Sequence, residues 1–201
     1  MSNDYLKLLA SRPKVTQLGQ QTNLLESDLV TAIESAIDNT PAPTETPTVR
    51  AAILFGGAHE QLWEFASDAR ASDAFNQSDS ERVLTTIRDQ YANGLGTVLF
   101  FTDTAVTKQL RHKHPHQSDW FKTATIIENG MAQMNVWTLL TSLGLGASLQ
   151  HFNPEINDQV LETFNLETSW LLQAQMPFGS VEGETNLDHP DDATKQFKVL
   201  G

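Results

Sequence analysis

The sequence predicts an α+β fold in three layers, and three observations carry that reading. Helix-period segments and strand-sized apolar runs are interspersed along the 201 residues without the strict alternation of a doubly wound sheet. No Pro-, Gly- or Ser-rich linker separates two independently patterned halves, so residues 1–201 read as a single domain. One long segment, about Thr125 to Leu143, is apolar on nearly every side, which marks a central helix that other layers enclose.

The elements follow in order. Asp4 to Ala10 reads as a short helix with Tyr5, Leu8 and Leu9 on one side, ended by Arg12-Pro13-Lys14. A second helix starts after Ser27 as expected N-cap, carries Leu29, Val30, Ile33 and Ile37 at amphipathic spacing, and stops near Asn39. Thr40 to Thr48, TPAPTETPT, holds three prolines and no large apolar side chain, so it reads as an extended loop largely free of hydrogen bonds. Val49 to Phe55 is a strand closed by Gly56-Gly57, and Ala58 to Arg70 a helix anchored by Leu62, Trp63 and Phe65. Ser80 to Tyr91 is a further helix, with Val83, Leu84, Ile87 and Tyr91 apolar. Gly94 and Gly96 release a strand over Thr97 to Asp103, and Asp103 is the expected cap of a helix containing Val106 and Leu110. Beyond the long helix come a short strand, Ala147 to Gln150, and a helix begun at Asn153-Pro154 with Ile156, Val160, Leu161 and Phe164 on its face. A strand over Trp170 to Met176 is expected to turn at Pro177-Phe178-Gly179. Val181 to Thr194 reads as an acidic loop, and Phe197 and Val199, alternating with Gln196 and Lys198, as a last extended piece.

Composition removes several function classes. Thirteen Lys and Arg against 25 Asp and Glu leave a formal charge of −12, which repels a nucleic-acid backbone or an anionic membrane surface. Neither is an expected partner. The absence of cysteine excludes disulfides, thiolate zinc sites and thiol nucleophiles. The N-terminal MSNDYLKLLASRPK has too short an apolar run and too early an acid, Asp4, for a signal peptide. Apolar stretches such as Val98 to Phe101 are strand-sized, far below the roughly 20 residues that cross a bilayer. A cytoplasmic location is expected.

Motifs narrow the chemistry further. Gly94-Leu95-Gly96 precedes a strand, whereas a dinucleotide fingerprint follows one; Gly56-Gly57 follows a strand but lacks the remaining glycine and the later acid. His112, His114 and His116 alternate in RHKHPHQ and would share a face in an extended strand, yet Arg111, Lys113 and Pro115 interrupt them, so a solvated loop is the expectation and no metal site is assigned. Ser148 lacks the second glycine of a nucleophile elbow. Arg12 and Lys14 near one chain end and Lys198 near the other would form a phosphate-sized positive pocket if the fold brought the ends together; solvated termini are the plainer alternative. LGLGASLQHFNP, Leu143 to Pro154, gathers Gly144, Gly146, Ala147, Gln150, His151 and Asn153 between two helices, more than a turn requires.

With those residues in view, the sequence resembles the nitroreductase superfamily, in the branch of the yeast fatty-acid-repression-mutant-like proteins and their bacterial relatives. The likeness rests on GGAHEQLW (Gly56 to Trp63), YANGLGTVLFFTD (Tyr91 to Asp103), ENGMAQMNVWTLLTSLGLGASLQHFNP (Glu128 to Pro154), QAQMPFG (Gln173 to Gly179) and FKVLG (Phe197 to Gly201). It implies a central, mostly antiparallel sheet flanked by helices. It also implies a homodimer holding FMN at its interface, with a C-terminal extension crossing to the partner. Electrons would come from NADH or NADPH and pass to a small-molecule acceptor, a quinone or nitroaromatic, in ping-pong order. A backbone N–H can hold the flavin N5 without a titrating side chain, so Ser148, Leu149, Gln150 and His151 become the ring-lining segment. No catalytic residue is required of the protein; His151 or solvent could give the acceptor its proton, a hydrogen-bonded structural histidine being the plainer reading of His151. The phosphate would fall to Arg12 and Lys198, with Lys14 standing in where relatives carry a basic residue at the position of Pro13. The polar loop by which relatives meet the flavin is replaced here by Pro41, Ala42, Pro43, Thr44, Glu45, Thr46 and Pro47, so Glu45 and Pro47 stand where amide donors are usual. Weaker FMN affinity or a lower potential follows, and with it an alternative: a homologue without catalysis that acts as a dimeric ligand-binding or sensor protein.

Overall fold

The computed structural model describes residues 3–12, 15, 17–72, 77–183 and 198–200. The fold is built around β3 (Gly96–Asp103), every residue of which is buried because it has a strand on either side and a helical layer over each face. β2 (Val49–Phe55) pairs with it from Val49 opposite Thr102 to Phe55 opposite Gly96. β5 (Trp170–Val181) lies along its other side, and the free edge of β5 takes two short pieces, β1 (Leu18–Gly19) and β4 (Gly146–Ala147). All pairs are antiparallel, in the order β1-β5-β3-β2 with β4 also on β5.

Alternation along β3 sorts its side chains into two cores. Val98 and Phe100 meet Leu29 and Ile33 of α2 (Glu26–Asp38) and Val136 and Leu140 of α6 (Ser118–Ser142). Leu99 and Phe101 face the other way, onto Trp63 of α3 (Gly56–Ser72), Ile87 of α4 (Gln77–Ile87) and Val160 of α7 (Asn157–Thr163). Each fully buried Phe contributes about 1.5–3 kcal/mol. The expected helix, sheet, helix layering is therefore present, completed by α1 (Asp4–Ala10) and α5 (Thr104–Lys113). Among the described residues no helix is long and apolar enough to cross a membrane.

Several boundaries differ from the sequence reading. β5 runs through Pro177 and Phe178 to Val181 instead of turning there. Pro177 is tolerated because its carbonyl accepts from Ser148 N–H, so its nitrogen faces the short edge piece and not β3. α6 begins at Ser118, and the histidine run is not a loop: α5 ends at Lys113, and Pro115–Gln117 form a 3₁₀ turn. The basic residues Arg111, His112 and Lys113 close α5 in its last turn, where the helix dipole favours positive charge. Ser27 is not the cap of α2, which opens at Glu26 after Leu25 with no side-chain cap; Ser27 instead accepts Thr31 Oγ at its carbonyl. Four turn residues precede α7, so it starts at Asn157 and not at Pro154. α4 gives way to a π-helical turn at Arg88–Ala92. Asp103 does cap α5, accepting from Ala105 and Val106 N–H. Of the expected acidic loop and terminal strand, residues 184–197 lie outside the described residues.

Candidate functional site

The segment after α6 is shaped by what its glycines permit. Gly144 adopts φ +77°, and a Cβ on Gly146 would meet Val181 Cγ2 at 2.5 Å and Val15 Cγ2 at 2.9 Å. Gly146 therefore lets the chain run between the end of β5 and the stretch that leads from Arg12. The strand expected over Ala147 to Gln150 reduces to β4 and a bridge from Gln150 to Gln175. Ser148 N–H donates to Pro177 O at 3.2 Å, Gln150 N–H to Gln175 O at 2.8 Å, and Gln175 N–H returns to Gln150 O at 2.9 Å. Because successive peptide groups point to opposite sides, the N–H groups of Leu149 and His151 are turned away from β5 and find no acceptor among the described residues. The Leu149 side chain packs on the α6-facing core, Gln150 Nε2 donates to Ser148 Oγ at 2.6 Å, and His151 is exposed.

Gln175 fastens the rest of the segment, a role the sequence reading missed. It is fully buried, its Oε1 accepts Phe152 N–H at 2.8 Å, and its Nε2 donates to Asn153 Oδ1 at 3.3 Å. The signal was an amide in an apolar strand, WLLQAQM, but plain alternation groups it with Gln173 and the exposed Leu171, and the register shift at Phe100/Phe101 is what the sequence does not display.

Arg12 lies at the neighbouring corner. Its Nε donates to Leu9 O at 3.2 Å, its Nη1 meets Met134 Sδ at 3.3 Å, and its Cζ stands 5.3 Å from the Trp137 ring. Among the described residues it has no ion pair, and Trp137 Nε1–H beneath it is buried without an acceptor. A guanidinium and an orphaned indole donor side by side fit an anionic oxygen that none of the described residues supplies. Pro13 and Lys14 lie outside the described residues. Lys198 is exposed and makes no bond to the described residues, and Val199 and Leu200 after it are 93% and 80% exposed.

The loop Thr40 to Thr48 is better held than its prolines suggested. Thr48 donates through N–H (3.1 Å to each oxygen) and Oγ–H (2.6 Å) to the buried carboxylate of Glu128, and Asn135 Nδ2 donates to Thr40 Oγ1 at 2.9 Å. α6 thus anchors both ends of the loop. Glu45 pairs with Lys113 at 2.7 Å on the surface, and that bond lowers its carboxyl pKa. Pro47 O accepts from Arg50 Nη1, whose Nη2 reaches Asp103 at 3.1 Å. Pro47 borders a cleft of about 450 Å³ that Glu34, Asp38 and Glu128 make acidic. Pro41 is exposed, and Ala42 and Pro43 are half-buried.

These pieces do not all meet within one chain. Gln150, Gln175, Leu99 and Ala52 stand in one row across the sheet. Three interstrand steps separate the ring-lining segment from β2, roughly 14 Å, and the loop joins β2 farther along, at Val49. Val15, three residues beyond Arg12, borders Gly146 at the β4 end of the sheet, whereas the Pro41–Pro47 loop enters the sheet at β2, the opposite edge.

The outward face of α6 is open. Ile126 is 67% exposed and Ile127 42%, although both belong to the run whose apolar flanks predict a helix buried nearly all round. On the other side of the sheet a buried polar chain fixes a tautomer. His59 Nε2–H donates to Ala92 O at 3.0 Å, so Nδ1 accepts from Thr97 Oγ at 2.9 Å, and that oxygen accepts Trp63 Nε1–H at 3.0 Å. Burial lowers the His59 pKa, only partly opposed by the Ala92 bond and Glu60. No cluster of metal-ligating side chains occurs among the described residues.

The nitroreductase family model matches residues 22–180. The nitroreductase FRM2 of Saccharomyces cerevisiae is 29% identical over 182 residues, 89% of this chain and 88% of FRM2. Nitroreductase CinD from Lactococcus lactis, solved with chloramphenicol, nicotinic acid and 4-nitrophenol, superposes with a TM-score of 0.86 in the chloramphenicol complex, at 31% identity over 98% of this chain and 100% of CinD. A nitroreductase with bound FMN from Desulfitobacterium hafniense shares the fold at TM-score 0.74 and 14% identity, over the whole of both chains.

Proposed function

The chain belongs to the nitroreductase family, and from that premise we propose that it is a homodimeric, FMN-dependent oxidoreductase. NADH or NADPH is the electron donor, and a quinone or nitroaromatic the acceptor, in ping-pong order. The observation that carries this reading is the pair of outward N–H groups at Leu149 and His151, pinned by the ladder to β5, together with the Trp137 indole N–H that lacks an acceptor among the described residues under the Arg12 guanidinium. Bound there, FMN would supply a centre that takes a hydride from the nicotinamide and passes electrons to the acceptor.

The protein's part is to hold and orient. Leu149 and His151 N–H would donate to the N5 edge while the β5 ladder keeps Ser148 and Gln150 N–H occupied, and the Leu149 side chain gives an apolar wall. Arg12, with Lys14 and Lys198, would take the phosphate. Pro41, Ala42, Pro43, Glu45 and Pro47 would reach the flavin only from a second copy, since in their own chain they stand at the far sheet edge. The open Ile126–Ile127 face of α6 and the exposed Val199-Leu200 tail support such a partner, the tail as the crossing extension. His151, exposed at the segment's end, is the candidate proton donor. The nitro compounds solved with CinD support a nitroaromatic acceptor.

The loop favours a second reading. Glu45 is spent on Lys113 and Pro47 has no N–H, so the amide donors usual there are missing, which would suit a dimeric ligand-binding homologue without catalysis. The visible spectrum of the purified protein, followed by anaerobic NADPH, separates the two. A yellow protein that bleaches supports the oxidoreductase; a colourless one that takes up no FMN supports the second reading.

A further inference from the structure

A cleft of about 210 Å³ on the side of the sheet away from α6 has a composition that the flavin reading does not use. Its floor is aromatic: Tyr91 and Phe152 meet edge-on at 6.4 Å, and Trp63 lies behind them, tilted against Tyr91 at 4.9 Å and edge-on to Phe152. Two guanidiniums converge on it from different helices, Arg70 from α3 and Arg82 from α4. Arg70 Cζ lies 5.1 Å from the Phe152 ring centroid, which fixes its position over the floor. Among the described residues no carboxylate lines the cleft, and neither guanidinium forms an ion pair with one of them.

That arrangement is unusual for this chain. Acids outnumber bases 25 to 13, so a base has many prospective partners, yet these two arginines share a cleft with no acid among the described residues. The larger cleft beside Pro47 and the one beside Trp63 are each lined by acids. The Tyr91 hydroxyl makes no hydrogen bond to a described residue although its ring is buried, and burial raises its pKa, so it remains a donor at neutral pH. Two planar cationic forks and a phenolic donor over two aromatic faces match a flat ring bearing one carboxylate. The volume admits one ring.

We propose that the cleft between Arg70, Arg82, Tyr91 and Phe152 binds a small aromatic carboxylate. The site needs no flavin and stands or falls apart from the redox reading.

The test is a titration of the purified protein with benzoate, against benzamide as neutral twin, by calorimetry and by the fluorescence of Trp63 beneath the floor. Benzoate is expected to saturate at one per chain, with benzamide at least about tenfold weaker. Arg70→Gln and Arg82→Gln, both at exposed positions, should each weaken benzoate by about tenfold or more and leave benzamide unchanged. Equal binding of the twins, absence of saturable benzoate binding, or benzoate binding indifferent to both substitutions would overturn the proposal. The comparison of twins on the unaltered chain needs no variant to fold.

Discussion

Replacing Gln175 with methionine removes the amide that fastens Phe152 and Asn153 while keeping the length and volume of the side chain. The backbone pair with Gln150 is untouched, so the loss is confined to two bonds. Phe152 N–H, buried and no longer accepted, costs about 1–3 kcal/mol; the longer bond to Asn153 adds about 0.5–1 kcal/mol, and burying a thioether in place of an amide returns part of this. The net is about 2 kcal/mol, which for a chain of this size lowers Tm by about 4–8 °C. Urea unfolding monitored by tryptophan fluorescence measures it. Gln173→Met is the control: that side chain makes only a 3.4 Å contact with Leu171 O, and its change should stay within about 0.5 kcal/mol. FMN affinity should fall in Gln175→Met and not in the control, since only the first loosens the segment bearing the Leu149 and His151 N–H groups. Equal stability of the two variants would refute the clamp, and unchanged FMN affinity in a destabilised Gln175→Met would separate the clamp from the flavin site.

Three further outcomes follow from other parts of the fold. His59 is buried neutral with a lowered pKa, so the unfolded chain binds its proton first: stability is full above the unfolded imidazole value of about 6.5 and falls as pH drops through it, by up to about 1.4 kcal/mol per pH unit until the folded value is reached. His59→Gln should lose that increment, seen by comparing urea unfolding near pH 7.5 and near pH 5.5; identical slopes in both proteins would assign the acid sensitivity elsewhere. Arg12→Ala should raise the FMN dissociation constant about 10- to 150-fold by flavin fluorescence titration, the range of a hydrogen-bonded charge, and an unchanged constant would move the phosphate role away from Arg12. Ile127→Asp should give a monomer by light scattering, and a persistent dimer would place the interface off α6.

The elements were legible because each is set by local pattern. β3 reads as a strand from a run of large apolar residues that only a doubly covered position accommodates, and Asp103 as a cap because its carboxylate meets the next free N–H groups. Pro177 misled because the lost N–H matters only on the side where a partner needs it, and that side depends on where β4 lands. The RHKHPHQ run misled because its polarity suits a loop as well as a helix end, and the choice is made by the helix dipole and by the stacking of His114 on Phe121, seven residues on. In the site, the alternation that frees Leu149 and His151 requires the register Gln150 to Gln175, and the loop's anchor, Glu128, sits 80 residues from Thr48. Such long-range partners leave no local trace beyond a polar residue in an apolar run. The separation of Pro41–Pro47 from Ser148–His151 is a property of sheet order, which no single segment encodes.

Sedimentation velocity of the FMN-saturated protein, recorded together in the flavin band and the protein band, tests the shared-site claim most directly. The account predicts that all bound flavin absorbance travels with a particle of twice the chain mass. Flavin sedimenting with single chains, or a dimer that leaves the flavin unsedimented, would contradict it.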